Sequence, residues 1–186
     1  MNEFILVKFK ITGTRPLLTH NPESMKDGNS DTPSKKKKYL PTEEAEKGVY
    51  YNEKRNYCLV SSAFRTALLS GLKNKKIGKT AAKSIYQAAV FNIDDLSVLI
   101  DPKTEKPLKK YIIDSRRVML GKKGIIRHRP RFEKWGCFIH FHMDPEVLDK
   151  KTLEESLNEA GRIIGVGDYR IERGGPFGSF TAKLCK

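Results

Sequence analysis

Residues 132–165 read FEKWGCFIHFHMDPEVLDKKTLEESLNEAGRIIG, and within them one apolar period gives way to another. Cys137, Ile139, Phe141 and Met143 alternate with Phe138, His140 and His142. That period of two is what a strand with one buried face requires, so a strand is expected over Phe132 to Met143, ended by Asp144-Pro145. From Thr152 to Ile164 the spacing becomes helical, with Leu153, Leu157, Ala160 and Ile164 on one stripe. Thr152 and Glu155 predict a capping box at its start, and Gly165 suits the C-terminal cap.

Working outward, Phe180, Ala182 and Leu184 alternate in a last strand. At the other end Ile5, Val7, Phe9 and Ile11 alternate with Lys8 and Lys10, a half-buried strand ending near Thr12-Gly13. Tyr57 to Val60 forms a short strand. Ser61-Ser62 then offers an N-cap to a helix carrying Phe64, Ala67, Leu68 and Leu72, which Gly71 frays or ends. Residues 81–90 predict a short helix, and Leu96 to Ile100 a strand turned by Asp101-Pro102. This order predicts an α+β fold with a ferredoxin-like β-α-β-β-α-β core. Both helices would cover one face of the sheet and leave the other open, where RNA-recognition folds of this shape stack bases.

The 186 residues suit one domain spanning 1–186. Residues 19–48, rich in Asn, Pro, Ser, Asp, Gly and Lys, interrupt it as a loop insertion. Lys35 to Lys38 in that insertion face Glu23, Asp27, Asp31, Glu43, Glu44 and Glu46, so the run is either a nucleic-acid contact or a solvated tip. No apolar run approaches the roughly 20 residues of a membrane span, and the N-terminus lacks the layout of a signal peptide. A soluble, cytoplasmic protein without membrane contact is expected. Cys58, Cys137 and Cys185 are scattered and odd in number, which argues against a disulfide framework or structural zinc, and no cofactor is expected.

The formal net charge is +14. Such an imbalance concerns partners rather than fold. Its densest part is residues 116–134, within a basic thumb-like hairpin spanning 111–134, where Arg116, Arg117, Lys122, Lys123, Arg127, Arg129, Arg131 and Lys134 meet one acid, Glu133. Arg127, Arg129 and Arg131 would project to one side of a strand roughly 6.6 Å apart, close to the phosphate spacing of a nucleic-acid strand. Lysines between residues 73 and 83 add to the charge. Trp135 is either a base-stacking platform or core at a strand end. The loop GVGDYRIERGGPFG, residues 165–178, follows a helix instead of preceding one, so it is neither a Walker nor a Rossmann phosphate loop. Its Gly165, Gly167 and Gly174 are expected to let backbone N–H groups approach a phosphodiester, beside Arg170 and Arg173. His140 and His142 share a strand face without a third ligand nearby, which argues against a metal site there. His20 and His128 are the candidates for a general base in metal-independent RNA cleavage.

CLVSSAFRTALLSGLK, residues 58–73, resembles the strand, small polar turn and basic helix of the RAMP superfamily of CRISPR-associated proteins, and GVGDYRIERGGPFGSF resembles their glycine-rich loop before the final strand. In layout the chain is most similar to the guide-RNA-binding backbone subunits. That resemblance implies a modified RNA-recognition fold, a thumb-like hairpin and copies arranged head to tail along RNA, or alongside other subunits of a ribonucleoprotein. It places Ser61, Ser62 and Arg65 on the guide-contacting turn and helix. RPLLTHNPESM also resembles the opening of bacteriophage proteins. The expected function is non-catalytic binding of single-stranded RNA, or single-stranded DNA, through its phosphates. The alternatives are a RAMP-type endoribonuclease, and a phage single-stranded DNA-binding or anti-CRISPR mimic whose basic face docks an acidic protein.

Overall fold

The computed structural model describes residues 3–22, 40–120 and 123–185, with the backbone alone at Leu120 and Lys123. The Lys35 to Lys38 run, Gly121, Lys122 and the side chain of Lys123 therefore lie outside the described residues. In chain order the elements are β1 (Ile5–Gly13), β2 (Leu17–Leu18), α1 (Pro41–Lys47), β3 (Tyr50–Tyr51), β4 (Tyr57–Val60) and α2 (Ser62–Gly71). Next come β5 (Lys76–Ile77), β6 (Thr80–Ala81), α3 (Ala82–Ala89), β7 (Val90–Asn92) and β8 (Leu96–Val98). The chain continues with β9 (Ile112–Leu120), β10 (Lys123–Phe132), β11 (Gly136–Met143), α4 (Lys150–Ile163) and β12 (Phe180–Leu184). The fold is mixed α+β.

The main sheet runs β12-β1-β11-β7, antiparallel throughout. Phe9 lies opposite both Ile139 and Leu184, so the apolar periods of β1, β11 and β12 fall on one face. Val7, Phe9, Ile11, Ile139 and Phe141 are buried there with Phe64 and Leu68 of α2 and Leu153 and Leu157 of α4. Gly161 of α4 exists because a Cβ would stand 2.1 Å from the Phe180 carbonyl oxygen, which lets α4 lie directly on β12. The outer face carries Lys8 over the Phe138 ring at 4.3 Å, and His140 within 2.6 Å of Asp94. Smaller sheets, β2-β10-β9 and β3-β4-β8, flank this core, and β5-β6 form a hairpin. No helix among the described residues is long and apolar enough to cross a membrane.

Four local expectations need correction. The stretch from Phe132 to Met143 is two strands in different sheets, β10 ending at Phe132 and β11 starting at Gly136. Ser61 makes no side-chain cap: its hydroxyl is buried 2.7 Å from that of Ser97, joining β4 to β8. Helix α4 starts two residues before Thr152, and its cap is Asp149, whose carboxylate accepts from the Thr152 amide at 2.9 Å. An acid three residues before a threonine is as good a cap as a threonine three before an acid, and the earlier one is the cap here. Finally, the 19–48 insertion is not loop throughout: its last part forms α1. Thr19 is buried, donating to the Gly48 carbonyl at 3.1 Å, and α1 packs against β10.

Candidate nucleic-acid interface

Strands β9 and β10 pair as a long hairpin in which Arg127 faces Arg116 and Arg129 faces Asp114. Arg127, Arg129 and Arg131 share one side of β10, as their alternation requires. The expectation that their charge is nearly unopposed is overturned. Arg127 reaches Glu44 of α1 at 3.2 Å, Arg129 donates to Asp168 at 2.5 Å, and Arg131 pairs with Glu133 and lies 3.5 Å from Asp114. Arg129 is only 6 % exposed, so its ion pair fixes the hairpin to the glycine-rich loop. A second clamp comes from Tyr111, which donates to Glu46 of α1 at 2.8 Å, and from Tyr51, which also donates to Glu46. Burial first, then that carboxylate, raises both phenols above their ordinary pKa. The hairpin is thus a braced wall at its base, while the Nε atoms of Arg129 and Arg131 are buried without partners among the described residues.

Between this wall and the glycine-rich loop runs an open groove of about 680 Å³. Arg116 and Arg129 line one side, with Arg117 at the rim, its guanidinium over Gly124 on the other face of the hairpin; Arg170 and Arg173 line the opposite side, with Asp168 and Tyr169. The fold therefore assembles four of the arginines singled out in the sequence, with a fifth, Arg117, at the rim. Arg127 and Arg131 are turned to their own carboxylates and do not line it. Arg116 is held by Asp114 at 2.7 Å and lies 5.0 Å from the Phe177 ring centroid. Arg170 pairs with Glu172 at 2.6 Å. Arg117 and Arg173 are exposed and make no ion pair among the described residues.

Several other expected contacts are placed elsewhere. Trp135 is 0 % exposed and its Nε1–H donates to the Arg15 carbonyl at 2.8 Å; a ring with no free face cannot stack a base, so this side chain is core. Ser61 is buried. Arg65 donates to the carbonyls of Val90 at 2.6 Å and Gln87 at 2.9 Å, tying α2 to the end of α3. Gly165 closes α4, its amide donating to Ala160. At Gly167 a Cβ would stand 2.5 Å from the Leu18 carbonyl, so the close approach it permits is to β2 and not to a ligand. Gly174 alone of the three faces open space. In place of Trp135, the aromatic ring at the groove is Tyr169, 40 % exposed and held at a φ of 45° that side chains rarely adopt. Its adjacency to Arg170 inside a glycine-rich loop was the available signal.

Asp168 and Arg170 also border a second cleft of about 390 Å³, which opens between the loop and α2 and includes Ser62, Thr66, His20 and Tyr50. Burial lowers the pKa of His20 below 6.5; Arg127 and Arg129 push the same way, against Asp168 and Glu44. Such a group adds stability that is present above pH 6.5, its unfolded value, and lost as the pH falls through the folded one. Replacing His20 with asparagine is expected to flatten that fall in a series of urea denaturations on either side of pH 6.5. Identical pH profiles for the two proteins would remove His20 from the account. His128 instead sits 2.7 Å from the Ser115 hydroxyl on the hairpin. Among the described residues no three His, Cys, Asp or Glu side chains converge as a metal-holding group. Comparison with models of protein families finds no match for the chain, and comparison with curated proteins finds none either.

Proposed function

We propose that this chain binds single-stranded nucleic acid, RNA in preference, by holding its phosphates in the groove between the β9–β10 hairpin and the glycine-rich loop. The observation that carries the reading is the meeting of Arg116 and Arg129 with Arg170 and Arg173 across one groove, from segments far apart in sequence, with Arg117 at its rim. Bringing four guanidinium groups together costs free energy unless an anion answers them, and only three carboxylates, Asp114, Asp168 and Glu172, pair within the set. Arginine forks suit phosphate oxygens, and the exposed Tyr169 ring at the edge offers a base a surface to stack on.

The strand order β12-β1-β11-β7, with helices on one face, supports reading the core as ferredoxin-like. With the glycine-rich loop ahead of β12, it fits the RAMP resemblance, and that resemblance is what favours RNA over DNA and a repeating or multi-subunit ribonucleoprotein. The test is fluorescence anisotropy with labelled single-stranded RNA, single-stranded DNA and duplex over a salt series. Affinity is expected to rank single strands above duplex and to fall steeply with salt, by about 0.7 in the logarithmic slope per phosphate held. Salt-independent binding, or none at low salt, would sink the proposal.

A second reading keeps the same groove but makes the chain a metal-independent endoribonuclease. The neutral His20 imidazole beside the groove favours it, since an unprotonated imidazole is a competent base for a 2′-hydroxyl. Incubating labelled RNA with the protein in chelator and looking for a 2′,3′-cyclic phosphate decides the matter for that substrate.

A further inference from the structure

The groove and the cleft beside it differ in chemistry yet share two residues. Asp168 and Arg170 line both. The groove is arginine-rich. The cleft has an apolar floor, including Leu59, Ala67 and Val166, and uncharged hydrogen-bonding groups at Ser62, Thr66 and His20. Its charged members, Asp168 and Arg170, are already paired with Arg129 and Glu172. A free anion would find no unpaired cation there. A flat, neutral heterocycle would find apolar walls for its faces and hydroxyl and imidazole groups for its edge. The cleft's volume of about 390 Å³ lies within the range of small-molecule sites.

We propose that the cleft between α2 and the glycine-rich loop takes one unstacked nucleobase from the strand whose phosphates lie in the arginine groove. The inference rests on the groove reading and adds a base subsite to it. Arg170, at the boundary, stands where the backbone passes from one compartment to the other. Thr66 is exposed on α2 and lines only the cleft, so it blocks the subsite without touching the groove.

The experiment measures anisotropy with a hexaribonucleotide and with the same chain lacking every base, for the unaltered protein and for Thr66→Phe. The unaltered protein is expected to bind the intact strand about tenfold more tightly than the abasic one, the size of one good base contact. Thr66→Phe is expected to lose most of that preference while binding the abasic strand normally. Should Thr66→Phe fail the thermal-melt control, Thr66→Leu, with a smaller side chain, replaces it. Equal binding of both strands by the unaltered protein overturns the subsite and leaves the groove standing. So does full retention of the preference in a folded Thr66 variant. No binding of either strand at low salt overturns the groove and the subsite together.

Discussion

Replacing Arg117 and Arg173 together with alanine is expected to weaken single-stranded RNA binding roughly 100-fold, since two charge-assisted hydrogen bonds of about 1.5 kcal/mol each make up about 3 kcal/mol. The pair is chosen for what it does not do in the free protein. Both side chains are exposed, border the groove and hold no carboxylate among the described residues. Their loss should therefore leave folding stability within about 0.5 kcal/mol, as for ordinary surface substitutions. The logarithmic salt slope should become shallower by about 1.4, the share of two phosphates on a single strand. Arg129→Ala is a poorer test, because it strands Asp168 and loosens the hairpin. Lys151, exposed on α4 away from the groove, serves as the control: Lys151→Ala should leave the affinity where it is. Unchanged affinity and slope in the double variant would show that the groove is not where the strand lies.

The largest effect on stability is expected at Trp135. Truncation to alanine should cost about 4 kcal/mol, the range found for buried aromatics, out of a total of about 5–15 kcal/mol for a typical domain. The indole is wholly buried, and it fits because residue 13 is glycine: a Cβ there would stand 2.2 Å from Nε1. Trp135→Phe keeps most of the volume but leaves the Arg15 carbonyl unanswered, at about 1–3 kcal/mol. Urea denaturation followed by circular dichroism measures both. Because the chain has one tryptophan, its native emission also reports this site directly. A blue-shifted band, insensitive to acrylamide and to added RNA, is expected. A folded Trp135→Phe protein that had lost RNA affinity tenfold would contradict the assignment of this residue to the core.

The parts of the fold that could be read from sequence were those that repeat. Three of the four strands of the main sheet, β1, β11 and β12, and the stripe of α4 announce themselves over several residues, because burying one face forces a period. Two-residue strands such as β2 and β3 have no period to show, and the break at Glu133-Lys134-Trp135 was hidden by apolar residues on both sides. The arginines of the site were visible for a similar reason: they are numerous and close together. Their partners were not. Glu44 meets Arg127 across 83 residues and Asp168 meets Arg129 across 39, and no local count of charge can see such contacts. The ambiguity at Trp135 is of the same kind, since only the approach of Gly13 and Arg15 decides which way the ring faces.

The position of β1 between β11 and β12 also bears on how the chain is made. Val7, Phe9 and Ile11 leave the ribosome with neither neighbouring strand in existence. The first partner begins at residue 136 and the second at residue 180. At about 5–20 residues per second, the strand waits on the order of 10 s for the first of them. During that interval it is an open edge with an apolar face, the kind of segment that pairs with its neighbours on a polysome. Lys8 and Lys10, which alternate with those apolar residues, set like charges between nascent copies. They guard the strand before the sheet exists, and once it has closed they remain on its outer face.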